Sequence, residues 1–130
     1  AGGAEMVDFP LKTACCGASF GIPERVMTAR NSGRILDLAT QLGVDAVIVA
    51  CPLCQMNLDL RQQQASKEMG TAFHLPVLYF TQMMGIAFGL DHKELGLNKL
   101  RVSPDGLIRK LDELRRNSAA ADKAAEGGRS

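Results

Sequence analysis

The stretch from Val47 to Cys54 constrains the fold more than any other part of the sequence. Residues 47–50 are apolar and would face both sides of a sheet, which is typical of a strand buried in a parallel sheet. Pro52 suits the first turn of a helix because it has no amide hydrogen to leave unpaired. The pattern therefore predicts that Cys51 and Cys54 lie where the carboxyl end of a strand meets the amino end of a helix. Ligands gather at this edge of open α/β sheets, and the helix dipole favours thiolates or other anions there.

Helices and strands are predicted to alternate around this stretch. Residues 23–42 carry apolar side chains at steps of three and four, which predicts a helix. The helix after Cys51 is predicted to run to about residue 69, with one face buried and Leu53, Met56 and Leu60 towards one side. The other predicted elements are strands over residues 6–9 and 75–80, a helix over residues 82–88, and a last helix containing Leu107, Leu111 and Leu114. This order predicts a single α/β domain with a small, mainly parallel sheet flanked by helices.

The length and composition indicate an ordinary globular domain. The chain has 130 residues, of which 46% are hydrophobic and 22% charged, enough for one domain with a core. We predict the domain over residues 1–116 and a disordered tail over residues 117–130, where Ser, Ala, Lys, Glu and Gly dominate. A net charge of +1 gives no reason to expect nucleic acid as a partner. No apolar run approaches the roughly 20 residues that span a bilayer, so we expect a cytoplasmic protein without a membrane span.

The four cysteines, Cys15, Cys16, Cys51 and Cys54, allow three interpretations. In the first they bind a metal or cluster. Adjacent Cys15 and Cys16 have diverging side chains, which suits different iron atoms of an iron–sulfur cluster better than one tetrahedral zinc ion. In the second, Cys51 and Cys54 form a thioredoxin-like dithiol that exchanges disulfides, with Pro76 before a strand as further support. In the third, all four are buried structural thiols. This is the weakest interpretation, because the cysteines form two groups that are each set among Gly or Pro turns.

The combined cysteine pattern resembles one particular family. Cys15-Cys16-Gly17 and Cys51-Pro52-Leu53-Cys54, with 34 residues between Cys16 and Cys51, are similar to the cysteine-rich CCG domain, typified by the B subunit of heterodisulfide reductase. Flanking segments are also similar to the family, namely residues 8–12, 55–59, 76–82 and 94–97. The resemblance covers roughly residues 5–108.

The resemblance implies a cofactor and a reaction. It implies that Cys15, Cys16, Cys51 and Cys54 are ligands of a non-cubane [4Fe-4S] cluster, and that Gly17 gives the cluster room. The implied function is an oxidoreductase that reduces a disulfide small molecule. The electrons would come from partner subunits of a heterodisulfide reductase-like complex, which carry iron–sulfur clusters and flavin.

One feature of the family motif is absent from this sequence. The family has a further cysteine ligand upstream of the cysteine pair, so we expect this chain to be the C-terminal part of a longer subunit and inactive alone. Zinc binding by the isolated fragment, as a structural or docking module, stays open beside the dithiol carrier. His74 and His92 lack ligand spacing to any cysteine and are predicted to be surface or loop histidines.

Overall fold

A computed structural model describes residues 3–127 of the chain. The helices are α1 (Arg25–Gln41), α2 (Pro52–Leu60), α3 (Gln62–Met69), α4 (Phe80–Ala87) and α5 (Asp105–Gly127). The strands are β1 (Val47–Val49) and β2 (Val77–Tyr79), and short 3-10 helices cover Ala18–Phe20 and Leu97–Lys99. The predicted α/β class is confirmed, with helices around a small parallel sheet.

The sheet consists of β1 and β2, which pair in parallel with Val47 opposite Val77 and Val49 opposite Tyr79. The chain passes from β1 to β2 through α2 and α3. Val77 is fully buried, but Ile48 in β1 is 41% exposed, so β1 is not covered on both faces as its apolar sequence predicts. Because both strands are only three residues long, a short sheet leaves one side of β1 open.

Helix α1 supplies the centre of the core. Ala29, Leu36 and Ala39 are buried along the predicted apolar stripe, whereas Val26 near the helix start is exposed. Gly33 lies where α1 meets α3, and a Cβ atom there would come within 2.5 Å of Met69 Cγ. The close approach of the two helices therefore depends on the absence of a side chain at this position.

The single helix predicted after Cys51 is instead two helices, which is a correction. Arg61 separates α2 from α3 with φ −102° and ψ 10°, outside the helical range. Three apolar side chains on α2 are exposed, namely Leu53, Met56 and Leu60. The buried face of α2 consists of Asn57, Leu58 and Asp59. Two of these three residues are polar, and each has hydrogen-bond partners that the sequence pattern does not reveal.

The prediction of a strand over residues 6–9 is wrong. These residues have no regular secondary structure, and Met6 is 87% exposed. A strand needs a neighbouring strand to accept and donate its backbone hydrogen bonds, and β1 and β2 pair only with each other among residues 3–127. The segment instead leads through turns into the cysteine pair.

The C-terminal segment differs from the predicted disordered tail. Helix α5 continues through Gly127, and residues 128–130 lie outside the described residues. Ala, Lys and Glu favour helix locally, which explains helical geometry without tertiary contacts. Leu107, Ile108 and Leu111 pack on the core, whereas every described residue after Leu111 is exposed. A domain boundary at residue 116 stays a prediction.

Asp59 provides a test of the buried polar contacts on α2. Its carboxylate oxygens accept hydrogen bonds from the backbone N–H groups of Arg101 (2.7 Å) and Val102 (3.0 Å). We expect Asp59→Ala to lower the free energy of unfolding by about 2–4 kcal/mol, because two amides lose a charged acceptor. Urea denaturation measures this value. The control Asp112→Ala removes an exposed carboxylate and should change stability by less than about 0.5 kcal/mol; equal losses would contradict the assigned role of Asp59.

Candidate iron–sulfur site

The first cysteine group lies in a tight turn before α1. Cys15 is exposed, while Cys16 is only 1% exposed. Gly17 follows with φ +79°, a left-handed conformation that favours glycine. A Cβ atom on Gly17 would lie 3.2 Å from Asn31 Nδ2 and 3.5 Å from the backbone of Thr28. The turn can therefore approach α1 this closely because residue 17 has no side chain.

The second cysteine group lies at the junction of β1 and α2, as the sequence predicts. Cys51 is the N-cap residue, with extended backbone angles of φ −103° and ψ 122°, and Pro52 begins the helix. Cys51 is exposed, and Cys54 in the first turn of α2 is partly buried. Strand, proline and helix thus set the directions of both thiols.

The two groups meet through one sulfur contact. The thiol of Cys16 donates to Cys54 Sγ across 3.3 Å, although 38 positions separate the two residues in sequence. A disulfide bond would be about 2.05 Å long, so both are free thiols. Cys15 lines a cavity of about 50 Å³ with Asn31 and Arg34, and neither Cys16 nor Cys54 lines it. Its sulfur accepts a hydrogen bond from the Gly17 N–H at 3.4 Å.

The surroundings shift the pKa values of Cys51 and Cys54 in opposite directions. Burial, together with hydrogen bonds to the thiols of Cys16 and Cys51, raises the pKa of Cys54 to about 12. The backbone N–H of Cys54 lowers the pKa of Cys51, helped by the Cys54 thiol. Cys54 therefore interacts with both Cys16 and Cys51, and the exposed member of the C-x-x-C pair ionises more easily.

No preformed site for a single metal ion is present within residues 3–127. No three Cys, His, Asp or Glu side chains in this range are arranged to hold one ion. His74 is exposed and His92 is half-buried, and neither joins the cysteines in such a group. The grouped thiols suit a larger iron–sulfur centre better than one zinc ion, because a multi-iron cluster accepts sulfur ligands that do not converge on one point.

Three buried polar side chains that the sequence analysis missed hold the Cys15-Cys16-Gly17 turn. Asn57 Nδ2 donates to the Cys16 carbonyl at 3.2 Å and to Ser32 Oγ at 2.7 Å. Ser32 Oγ donates to the same carbonyl at 3.4 Å, and Thr28 Oγ1 donates to the Gly17 carbonyl at 3.1 Å. A usable signal was present, because Thr28 and Ser32 stand four residues apart beside the apolar stripe of α1, and Asn57 follows Cys54 by three.

The difference in acidity predicts an order of alkylation in the reduced, metal-free chain. At about pH 8, iodoacetamide should modify Cys51 well before Cys54, because only thiolates react and a pKa near 12 leaves Cys54 protonated. As the pH rises from about 8 to about 11, the Cys54 rate should keep climbing close to tenfold per unit, while the Cys51 rate levels off first. Peptide mass spectrometry measures both rates in one sample. A Cys54 rate that is independent of pH would contradict the assigned acidities.

Comparison with known proteins identifies the family of the cysteine motif. Residues 1–59 match the family model of the CCG cysteine-rich domain. The chain is 36% identical over 96 residues to the 8-methylmenaquinol:fumarate reductase membrane anchor subunit of Wolinella succinogenes, covering 74% of this chain and 34% of the relative. It is also 33% identical over 116 residues to the B subunit of the ferredoxin:CoB-CoM heterodisulfide reductase of Methanosarcina mazei. This match covers 86% of this chain and 38% of the relative.

These relatives are subunits of reductases, and the chain spans between a third and two fifths of their length (34% and 38%). One of them is named as a membrane anchor. Within the described part of this chain, none of the helices has the length and apolar character needed to cross a bilayer. The resemblance inferred from the cysteine pattern is confirmed: residues 1–59 match the cysteine-rich CCG domain, and the chain is a homologue of the B subunit of heterodisulfide reductase.

Proposed function

We propose that Cys15, Cys16, Cys51 and Cys54 bind the iron–sulfur cluster of a heterodisulfide reductase-like subunit. The observation that carries this proposal is the 3.3 Å contact between the sulfurs of Cys16 and Cys54. Two cysteine groups far apart in sequence meet there at the carboxyl end of β1, the edge of an α/β sheet where ligands bind. The homology with a heterodisulfide reductase subunit supports the same assignment.

The cluster type is part of the proposal. We propose a non-cubane [4Fe-4S] cluster, with a further cysteine from outside this sequence completing the ligand set. Thiolates are the ligands that iron–sulfur clusters take in proteins. The divergence of Cys15 from Cys16 favours several iron atoms over one, because the sulfur of Cys15 lies on the exposed side of the turn and that of Cys16 is buried. Gly17 keeps this turn compact.

The proposed reaction is the reduction of a disulfide substrate with electrons from partner subunits. Two electrons and two protons convert a disulfide into two thiols; the cluster, when bound, would pass the electrons from the partner subunits to the sulfur–sulfur bond, with the protons taken from solvent. The protein holds the buried Cys16 and the partly buried Cys54 and leaves Cys15 and Cys51 open to the surface, which gives a substrate access to that side. The Gly17 N–H donates a hydrogen bond to Cys15 Sγ at 3.4 Å, which helps to orient this sulfur.

A second candidate, a dithiol–disulfide carrier, is favoured by the acidities of the C-x-x-C pair. An exposed Cys51 with a lowered pKa beside a partly buried Cys54 with a raised pKa is the pattern of a nucleophile and its resolving partner. This candidate gives no role to Cys15 and Cys16. It predicts that Cys51→Ser abolishes disulfide exchange while Cys15→Ser leaves it intact, whereas a shared cluster requires both residues.

A zinc-binding structural or docking module has less support, because no three ligating side chains within residues 3–127 are grouped around one ion position. It would require stoichiometric zinc, and chelation would unfold the domain.

A cytoplasmic location stays a prediction from the composition.

Metal analysis tests the proposed function. The longest natural polypeptide containing this chain should be purified without oxygen and analysed for iron, acid-labile sulfide and zinc, with absorption and electron paramagnetic resonance spectra. We expect an iron–sulfur chromophore that Cys16→Ser or Cys54→Ser removes, because each loses a ligand. The controls His74→Ala and His92→Ala should keep the iron content. A colourless, iron-free polypeptide, or one with stoichiometric zinc, would contradict the proposal.

A further inference from the structure

We infer that Asn57 is a positioning residue that fixes the Cys15-Cys16-Gly17 turn against α2 and so sets the separation of the Cys16 and Cys54 sulfurs. The side chain belongs to the same helix as Cys54, three positions later, and its amide donates to the Cys16 carbonyl at 3.2 Å. One rigid element thus carries the Cys54 sulfur and a direct tie to the backbone of Cys16.

The tie is buried and connected on both sides. Asn57 is 2% exposed, and Ser32 and Cys16 are equally inaccessible, at 0% and 1%. Asn57 also donates to Ser32 Oγ at 2.7 Å, and Ser32 donates to the same carbonyl. Helices α1 and α2 therefore meet on one carbonyl oxygen, where water does not compete for the hydrogen bonds.

The neighbouring carbonyl is held in the same way. Thr28, which is fully buried, donates to the Gly17 carbonyl at 3.1 Å. The Gly17 carbonyl also accepts the backbone N–H of Phe20 at 2.9 Å, at the start of the 3-10 helix Ala18–Phe20. The Cys16 carbonyl is held by the side chains of Asn57 and Ser32, which give this peptide group the support that a ladder of backbone bonds gives in a strand.

The hydrogen bonding of Asn57 points to orientation rather than stability as its purpose. Its Oδ1 atom is buried and has no hydrogen-bond partner among residues 3–127. An unpaired buried acceptor costs stability, so an apolar residue of similar size would serve the core better. The amide instead holds the Cys16 backbone in a fixed position through its hydrogen bond to the Cys16 carbonyl.

The test is the local opening of the turn, measured by alkylation of Cys16 in the reduced, metal-free chain. Because the Cys16 thiol is buried, iodoacetamide reaches it only when the turn opens or the protein unfolds. Urea denaturation measures the free energy of unfolding, which gives the Cys16 alkylation rate expected if the thiol reacts only in globally unfolded molecules. We expect Asn57→Ala to raise the Cys16 rate at least about tenfold beyond that expectation, because the turn opens locally.

Gln62→Ala is the matched control. Gln62 is also a buried amide, 3% exposed, but its hydrogen bonds go to both backbone groups of Leu75 and to no cysteine. In the Gln62→Ala variant, the alkylation rate of Cys16 should rise only as much as the loss of global stability predicts. If Asn57→Ala fails to fold, Ser32→Ala, which removes one donor to the same carbonyl, should give the same local excess. The inference would be overturned if the Cys16 alkylation rate in the Asn57 or Ser32 variant were fully explained by its loss of global stability.

The consequence for the cofactor rests on the proposed function and has its own readout. In the polypeptide purified without oxygen, Asn57→Ala should lower the iron content, whereas Gln62→Ala should retain it. Full iron content in a variant whose Cys16 has lost its protection would overturn the role of Asn57 in positioning ligands. Absence of iron from the unsubstituted protein would contradict the proposed function alone, and the alkylation rates would still decide whether Asn57 holds the turn.

Discussion

The structure of the site depends on one backbone carbonyl, that of Cys16, which accepts hydrogen bonds from Asn57 on α2 and Ser32 on α1. This shared acceptor joins the Cys15-Cys16-Gly17 turn to the two helices that flank it. The contact between the Cys16 and Cys54 sulfurs follows from the same arrangement, because Asn57 and Cys54 are on one helix. Without this tie, nothing in the local sequence of either cysteine group would fix the distance between them.

The sequence predicted the local geometry of the second cysteine group well, because the determinants are neighbours in the chain. A β-branched strand, a proline at the first helical position and two cysteines three apart are enough to predict the junction of β1 and α2. The meeting of Cys16 with Cys54 has no such local cause, since 38 positions separate them. Their convergence was expected from the interpretation of the four cysteines as ligands of a metal or cluster and from the family resemblance, and the distance between their sulfurs could come only from the structure.

The exposed apolar side of α2 and the polar side chains that the sequence did not reveal share a physical origin in buried polar residues. Apolar periodicity drew attention to Leu53, Met56 and Leu60, which are all at least half exposed. Helix α2 instead buries Asn57 and Asp59, because each pairs with backbone groups that are distant in sequence. A pattern of hydrophobic residues cannot reveal such partners. The same limit hid Thr28 and Ser32, whose polar groups face the cysteine turn from within the buried side of α1.

The central claim is that both cysteine groups bind one iron–sulfur centre. The most direct measurement is anomalous diffraction at the iron edge from crystals of the natural polypeptide grown without oxygen. The account predicts a single group of iron peaks within bonding distance of the sulfurs of Cys16 and Cys54, with Cys15 and Cys51 at the same group. Iron peaks absent from this place, or separate ions at the two cysteine groups, would contradict it.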